Sequence, residues 1–333
     1  MKEYFSGKAG IVRAVCLLAV FVTVVLGVFN GILNVLFFEE KIYMYDRDSE
    51  VGFTVYYTVC AIVTATVGAL YIVNKRQKDG FSCDSAVFVS RGFEEKLPFR
   101  ILRALGGAVF TFGAFGRLTL FFMEKNEYGL HKSIVVLMLL FLVCLSFYFF
   151  SELDQMVKIG GFTAFCGMLG VVAFIIDTLA VYSDMSIPIA SEYRLFTAVY
   201  SVLFLLALVL EIRMKTAEPN SCGYVAMFSV ASVVGGSTCI GRVISIFCDK
   251  AVSDTELTRT VCGVGITVYL ISRLLSIAFA LKYIADCGGN SPITVDPMDG
   301  DEFVNCDSAE TFDKPSSDTD ADETLGTDSG EVE

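Results

Sequence analysis

Eight long apolar runs, separated by short polar stretches, restrict the fold of this chain more than any other feature of its sequence. A helix that crosses the hydrocarbon core of a bilayer needs about 20 mostly apolar residues, and only helices and closed barrels satisfy the backbone there. The sequence therefore predicts an all-α, polytopic membrane bundle of about eight transmembrane helices within residues 1–288. The predicted helices lie near 14–38, 51–73, 101–123, 133–150, 159–182, 195–212, 223–247 and 260–284.

The net charge of -12 is concentrated in the C-terminal part of the chain. Residues 285–333 contain 15 acidic residues and one lysine, whereas the rest of the chain has 22 acidic and 24 basic residues. Acidic segments with few apolar residues do not bury enough surface to fold. We therefore predict that 289–333 is a disordered acidic tail. We expect no nucleic-acid partner, since nucleic acid and the tail carry charge of the same sign.

Lysine and arginine are distributed unevenly between the loops. The N-terminus, the even-numbered loops and their flanking residues hold 13 of them, against seven in the odd-numbered loops. Cytoplasmic loops are enriched in these residues, so both termini are predicted to be cytoplasmic. Six of the 13 lie in the longest loop, 74–100. The protein is expected to be a multi-pass protein of the cell membrane.

Four charged residues lie at least five residues from either end of a predicted membrane helix: Arg117, Asp177, Arg242 and Arg273. Arginine at the centre of such a helix costs roughly 2.5–3.5 kcal/mol, so it is retained where it faces a partner, water or the bundle interior. We predict that the four side chains form a ligand-binding site in the outer half of the bundle. Guanidinium groups suit oxyanions, so the predicted ligand is a small anionic solute. In the alternative interpretation, Asp177 pairs with one arginine and the others extend outward toward water.

The odd-numbered helices share a spacing that suggests four repeated helical hairpins. Alignment places Arg117, Asp177 and Arg242 at equivalent positions, with a small residue often found seven positions earlier, such as Gly170 or Gly235. Small residues let membrane helices approach closely. Helices 1, 3, 5 and 7 are therefore predicted to form the inner packing surface. Helices 4 and 6, which contain no glycine, are predicted to face lipid.

Three smaller features each have an ordinary interpretation. Glu211 precedes Lys215 by four residues, which predicts an ion pair at the membrane interface. Cys248 and Cys262 bracket the last outer loop and are either a disulfide or two free thiols. His131, the only histidine, is expected to be a solvated surface residue.

No catalytic, nucleotide-binding or metal-binding motif is present, so we expect neither enzymatic activity nor a cofactor. The preferred hypothesis is a transporter or permease for a small anionic solute, because repeats and buried polar sites are typical of transporters. The alternative is a non-enzymatic membrane sensor or scaffold. In that case the basic inner loop and the acidic tail would bind cytoplasmic partners, or the chain would form a homo-oligomer in the bilayer.

Overall fold

Eight helices make up nearly all of the described chain, and each coincides with one predicted transmembrane helix. The computed structural model describes the backbone of residues 2–39, 44–45, 50–76, 97–123, 131–151, 160–183, 192–216, 221–248 and 254–286, so the predicted tail, 289–333, lies outside the described residues. All eight helices are long and apolar enough to cross a membrane. The prediction of an all-α, multi-pass membrane protein is therefore confirmed. The helices are α1 (Lys2–Phe37), α2 (Glu50–Arg76), α3 (Leu97–Phe122), α4 (Lys132–Ser151), α5 (Gly161–Ser183), α6 (Glu192–Thr216), α7 (221–247) and α8 (Asp254–Asp286).

A short antiparallel pair of strands lies between α1 and α2. Strand β1 (Phe38–Glu39) pairs with strand β2 (Met44–Tyr45), with Phe38 opposite Tyr45. Phe38 was predicted to end the first membrane helix, whereas Glu39, Met44 and Tyr45 fall in the predicted loop that follows it.

Helix α7 changes its hydrogen-bonding pattern in its middle. It is α-helical over Ser221–Val230, π-helical over Ala231–Gly236 and α-helical again over Ser237–Phe247. A π-helical turn widens the helix locally and is frequent at functional sites. Close packing accompanies it, because a Cβ atom on Gly236 would lie 2.8 Å from Cγ2 of Thr267 in α8.

Helix α8 is the centre of the bundle. Of its membrane-spanning residues, 72% are buried, against 28% for α1 and 22% for α2. It packs directly on α3 through glycines: a Cβ atom on Gly265 would lie 2.5 Å from the backbone nitrogen of Phe110 and 2.7 Å from the carbonyl oxygen of Gly106. Apolar side chains gain nothing by leaving lipid for protein, so close backbone contact of this kind is a main source of helix association in membranes.

Helix α1 packs on the second half of α7 through Gly27 and Gly31, which lie four residues apart. A Cβ atom on either glycine would lie 2.7 Å from an isoleucine of α7, Ile240 or Ile244. The opposite face of α1 exposes a series of large apolar side chains, as expected for a surface in contact with lipid: Leu17, Leu18, Phe21, Val24, Val25, Val28 and Ile32.

The predicted division into an inner set, helices 1, 3, 5 and 7, and lipid-facing helices 4 and 6 is wrong. The spans of α4 and α6 are 44% and 50% buried, more than those of α1 and α3, at 28% and 33%. In α4, for example, Leu145 is fully buried and fills the space above Gly170 of α5. A continuously apolar helix is equally compatible with lipid and with the glycine-lined face of a neighbour, so its composition does not reveal which one it contacts.

Candidate functional site

An aspartate and two arginines from three helices meet inside the bundle. Nη2 of Arg117, in α3, lies 2.5 Å from Oδ1 of Asp177, in α5. Arg259, in α8, donates from Nη2 to Oδ1 at 3.0 Å and from Nε to Oδ2 at 3.2 Å. Arg117 and Asp177 are each only 2% exposed, and Arg259 is buried as well. These three residues, the Asp177 cluster, form a two-sided guanidinium clamp on one carboxylate.

Arg242 of α7 belongs to a second group beside this cluster. Its Nη2 donates to Oγ1 of Thr197, in α6, at 2.7 Å, and its Nη1 lies 3.9 Å from Oε1 of Glu256, in α8. Its guanidinium carbon lies 5.4 Å from the centre of the Tyr200 ring, within cation–π range. We call Thr197, Tyr200, Arg242 and Glu256 the Arg242 cluster.

The two clusters lie at the same end of the bundle. Arg117, Asp177, Arg242 and Arg259 are each five or six residues from the nearer end of their helices. That distance is about 8–9 Å at 1.5 Å per residue. Glu256 and Arg259 are three residues apart on α8, so one helix turn joins the two clusters. Together they form the outer site, named for the side that the loop charges predict to face outward.

Tyr200 and Thr260 each have a buried hydroxyl at the outer site that makes no hydrogen bond among the described residues, as does Ser201, four residues after Thr197 on α6. Tyr200 follows Thr197 by three residues on α6, and Thr260 follows Glu256 by four on α8, so both lie one turn deeper than a member of the Arg242 cluster. Buried polar groups are almost always paired. The two hydroxyls beside Arg242 therefore remain available as donors to a guest at the outer site.

Arg273 is part of a different cluster. Its Nη2 donates to Oε1 of Glu211, in α6, at 2.7 Å, and its Nε donates to the hydroxyl of Tyr224, in α7, at 3.0 Å. Glu211 is fully buried and also accepts hydrogen bonds from the hydroxyls of Tyr224 and Tyr269. These four residues form the Glu211 cluster, which lies 14 residues from Arg259 along α8, about 21 Å away.

A small cavity lies against the Glu211 cluster. It measures about 10 Å³, close to the least that one water molecule needs. Glu211 and Tyr269 contribute its polar wall, and the remaining lining is apolar: Phe149, Phe174, Phe204, Ala207, Leu208, Phe228, Ile266 and Leu270. The space is therefore too small for an organic solute.

The structure brings together three of the four predicted site residues. Arg117 and Asp177 are in direct contact, and Arg242 belongs to the adjoining cluster at the same end. Arg273 lies toward the opposite end, where Oγ of Ser272 donates to the carbonyl of Phe99, two residues into α3. A role in ligand binding stays a prediction for all four.

Arg259 and Glu256 were not among the predicted site residues, because the last helix was predicted to begin at residue 260, whereas α8 begins at Asp254. A signal was present: Ser253 and Glu256 have the spacing of a capping box, which marks a helix start. The predicted ion pair of Glu211 with Lys215 involves a side chain outside those described; Glu211 itself is fully buried and contacts Arg273 instead of lying exposed at the interface.

Cys248, Cys262 and His131 are the other residues whose roles were predicted from the sequence. Cys248 is exposed, Cys262 is buried, and both are free thiols, so no disulfide joins them. His131 is exposed just before α4, where its Nδ1 accepts a hydrogen bond from the Ser133 backbone at 3.4 Å. Among the described residues, no group of His, Cys, Asp and Glu is arranged to hold a metal ion.

No protein-family model matches this chain, and neither a curated protein nor a solved structure matches it significantly. Function has to be inferred from the chemistry of the side chains.

Proposed function

We propose that this multi-pass membrane protein is a transporter or permease of the cell membrane that binds a small anion at the outer site and catalyses no reaction. The observation that carries the proposal is the clamp on Asp177. Arg117 and Arg259 approach one carboxylate from two helices, with three nitrogen–oxygen contacts of 2.5–3.2 Å. An anionic solute with a carboxylate-like group would use the same donors.

The kind of buried cation supports an oxyanion ligand. The buried cationic residues of the described chain are all arginines, and four of the six lie at the outer end: Arg117, Arg194, Arg242 and Arg259. Two buried carboxylates, Asp177 and Glu256, accompany them there. Charged side chains inside a membrane are costly and typically mark a substrate path or a binding site. Arginine also binds planar oxyanions through two parallel hydrogen bonds, which lysine does not.

The arrangement of the helices supports movement of the solute through the bundle. The outer site and the Glu211 cluster are separated along α8 by about 21 Å of mainly apolar residues such as Ile266 and Leu270. Helix α7 contributes to both clusters through Arg242 and Tyr224, and its π-helical turn lies between them. We propose that α7 is the helix whose rearrangement opens the apolar layer.

Anion uptake into proteoliposomes tests this function. The parent protein is expected to accelerate uptake of labelled nitrate, a planar oxyanion, or of inorganic phosphate, a tetrahedral one. Arg242→Gln should reduce uptake at least tenfold, because it removes a guanidinium from the outer site. Arg100→Gln is the matched control, since Arg100 is exposed in the first turn of α3. An uptake rate in the parent equal to that of empty liposomes, for both anions, contradicts the proposal.

The alternative, a sensor or scaffold, depends on the inner loop and the tail. Residues 77–96 and 287–333 lie outside the described residues, so nothing in the bundle favours this function over transport. A parent protein that moves no anion but retains a cytoplasmic partner, and loses it when 290–333 are deleted, would favour the scaffold.

A further inference from the structure

We infer that the hydroxyls of Tyr200 and Thr260 are ligand donors of the outer site, and that they select a small, planar, monovalent oxyanion of the carboxylate type. This inference rests on the proposed function and adds to it two residues that carry no charge. Both hydroxyl oxygens are inaccessible to solvent and make no hydrogen bond among the described residues, while the Tyr200 ring lies beside the Arg242 guanidinium.

The positions of the two residues place them on either side of Arg242. Thr197 binds Arg242 from α6, and Tyr200 is on the same face of α6 one turn deeper. Glu256 approaches Arg242 from α8, and Thr260 is on the same face of α8 one turn deeper. An anion bound beneath the Arg242 guanidinium would therefore meet one hydroxyl from each neighbouring helix.

The chemistry of the three groups defines the class of ligand. A guanidinium and two hydroxyls offer donors to an acceptor that bears negative charge, and hydrogen bonds to a charged acceptor are about twice as strong as neutral ones. The clamp on Asp177 shows that guanidinium groups at this site already hold a planar carboxylate. One positive charge from Arg242, with Glu256 at 3.9 Å, suits a monovalent guest better than a divalent one.

If the two hydroxyls served only the fold, removing them would weaken folding and leave anion binding unchanged. A buried hydroxyl that makes no hydrogen bond opposes folding, since it loses water and gains no partner. Tyr200→Phe removes only the hydroxyl group, and Thr260→Val replaces the hydroxyl by a methyl group. Both changes keep the shape of the side chain. Neither change should weaken the fold, whereas both should weaken the binding of an anion that accepts from these groups.

The test measures nitrate uptake as a function of nitrate concentration in proteoliposomes of the parent, Tyr200→Phe and Thr260→Val proteins. Each variant is expected to raise KM for nitrate by about tenfold or more, the usual effect of losing a hydrogen bond to a charged group. Ser229→Ala is the matched control. Ser229 is a fully buried hydroxyl that also makes no hydrogen bond among the described residues, and it lies 13 residues from Arg242 on α7, about 20 Å away.

Three outcomes are distinguishable. A raised KM in both variants, with the Ser229→Ala protein unchanged, supports the inference. A parent that transports nitrate, together with variants whose KM equals that of the control, overturns the inference and leaves the proposed function intact. Variants that unfold more readily than the parent also overturn it, because their hydroxyls would then stabilise the fold. A parent without uptake of either anion removes the proposed function and this inference together.

Discussion

Replacing Glu211 by glutamine should be one of the most destabilising isosteric changes available in this protein. Glu211 is fully buried and accepts hydrogen bonds from Tyr224, Tyr269 and Arg273. Glutamine retains the shape but presents an NH₂ group to one of these donors and removes the Glu211 carboxylate from the Arg273 guanidinium, which is 2% exposed. Removing one partner of a buried ion pair costs about 3–5 kcal/mol, and we expect a loss of unfolding free energy in that range.

A double-mutant cycle separates the ion pair from the packing around it. Arg273→Met should cost a similar amount, about 3–5 kcal/mol. The double variant Glu211→Leu, Arg273→Met should cost much less than the sum, since buried ion pairs are often replaced by apolar residues without loss. The loss of unfolding free energy that remains in the double variant comes from Tyr224 and Tyr269, because their hydroxyls no longer have Glu211 as an acceptor.

Unfolding by sodium dodecyl sulfate in mixed micelles provides the measurement. The chain has no tryptophan, so reaction of the buried thiols Cys16, Cys60 and Cys239 with a fluorogenic dye reports unfolding. Arg100→Gln, at an exposed site, should stay within about 0.5 kcal/mol of the parent. A Glu211→Gln protein within about 1 kcal/mol of the parent would refute the reasoning, because the cluster would then be hydrated rather than buried.

Further predictions concern the helix contacts, the orientation and the Asp177 cluster. Gly265→Ala should destabilise the bundle by about 1–3 kcal/mol, because its Cβ would lie 2.5 Å from the α3 backbone. Gly68→Ala is the control: a Cβ there has nothing within 4 Å, so the change should be neutral or stabilising in the same unfolding assay. A membrane-impermeant maleimide added to intact cells should label the exposed Cys248, and Cys248→Ser should remove that label. Labelling of Cys248 only in permeabilised cells would reverse the predicted orientation. Asp177→Asn should lower the unfolding free energy by about 3–5 kcal/mol, and nitrate should restore more of it than the larger gluconate does, because the bound anion has to fit the space beside the two arginines.

The eight helices could be predicted because water and hydrocarbon impose opposite demands on a chain. A helix in lipid must be apolar along its whole length, and a loop in water need not be. Helix α4 illustrates the limit of that signal. Its run of Leu, Val and Phe identifies a membrane helix, yet the buried Leu145 and the exposed Leu140 look identical in the sequence. Lipid and the protein interior solvate leucine similarly, so the amino-acid composition of a helix says little about what the helix packs against.

The site could be predicted only where charge lay well inside an apolar run. Arg117 and Asp177 were found for that reason, and they are in contact. Arg259 was assigned to a loop, because the sequence between it and Asp254 is polar and the helix start was placed too late. Glu211 was assigned to the interface, because its burial depends on α7 and α8 covering the end of α6. Only the burial of Glu211 depends on neighbouring helices that a single run of sequence does not describe, because the start of α8 is marked by Ser253 and Glu256.

Helix α8 makes stability and anion binding difficult to separate at the charged residues. It supplies Arg259 to one cluster and Arg273 to the other, and glycine contacts fix it against α3. In a bilayer, where apolar contact alone does not drive helices together, these polar and glycine contacts hold the bundle in one arrangement. A lost activity in an Arg259 variant would therefore be compatible with a lost fold. Tyr200 and Thr260 differ, because their hydroxyls bind nothing among the described residues, and a change in anion uptake without a loss of stability at these two positions reports on the ligand.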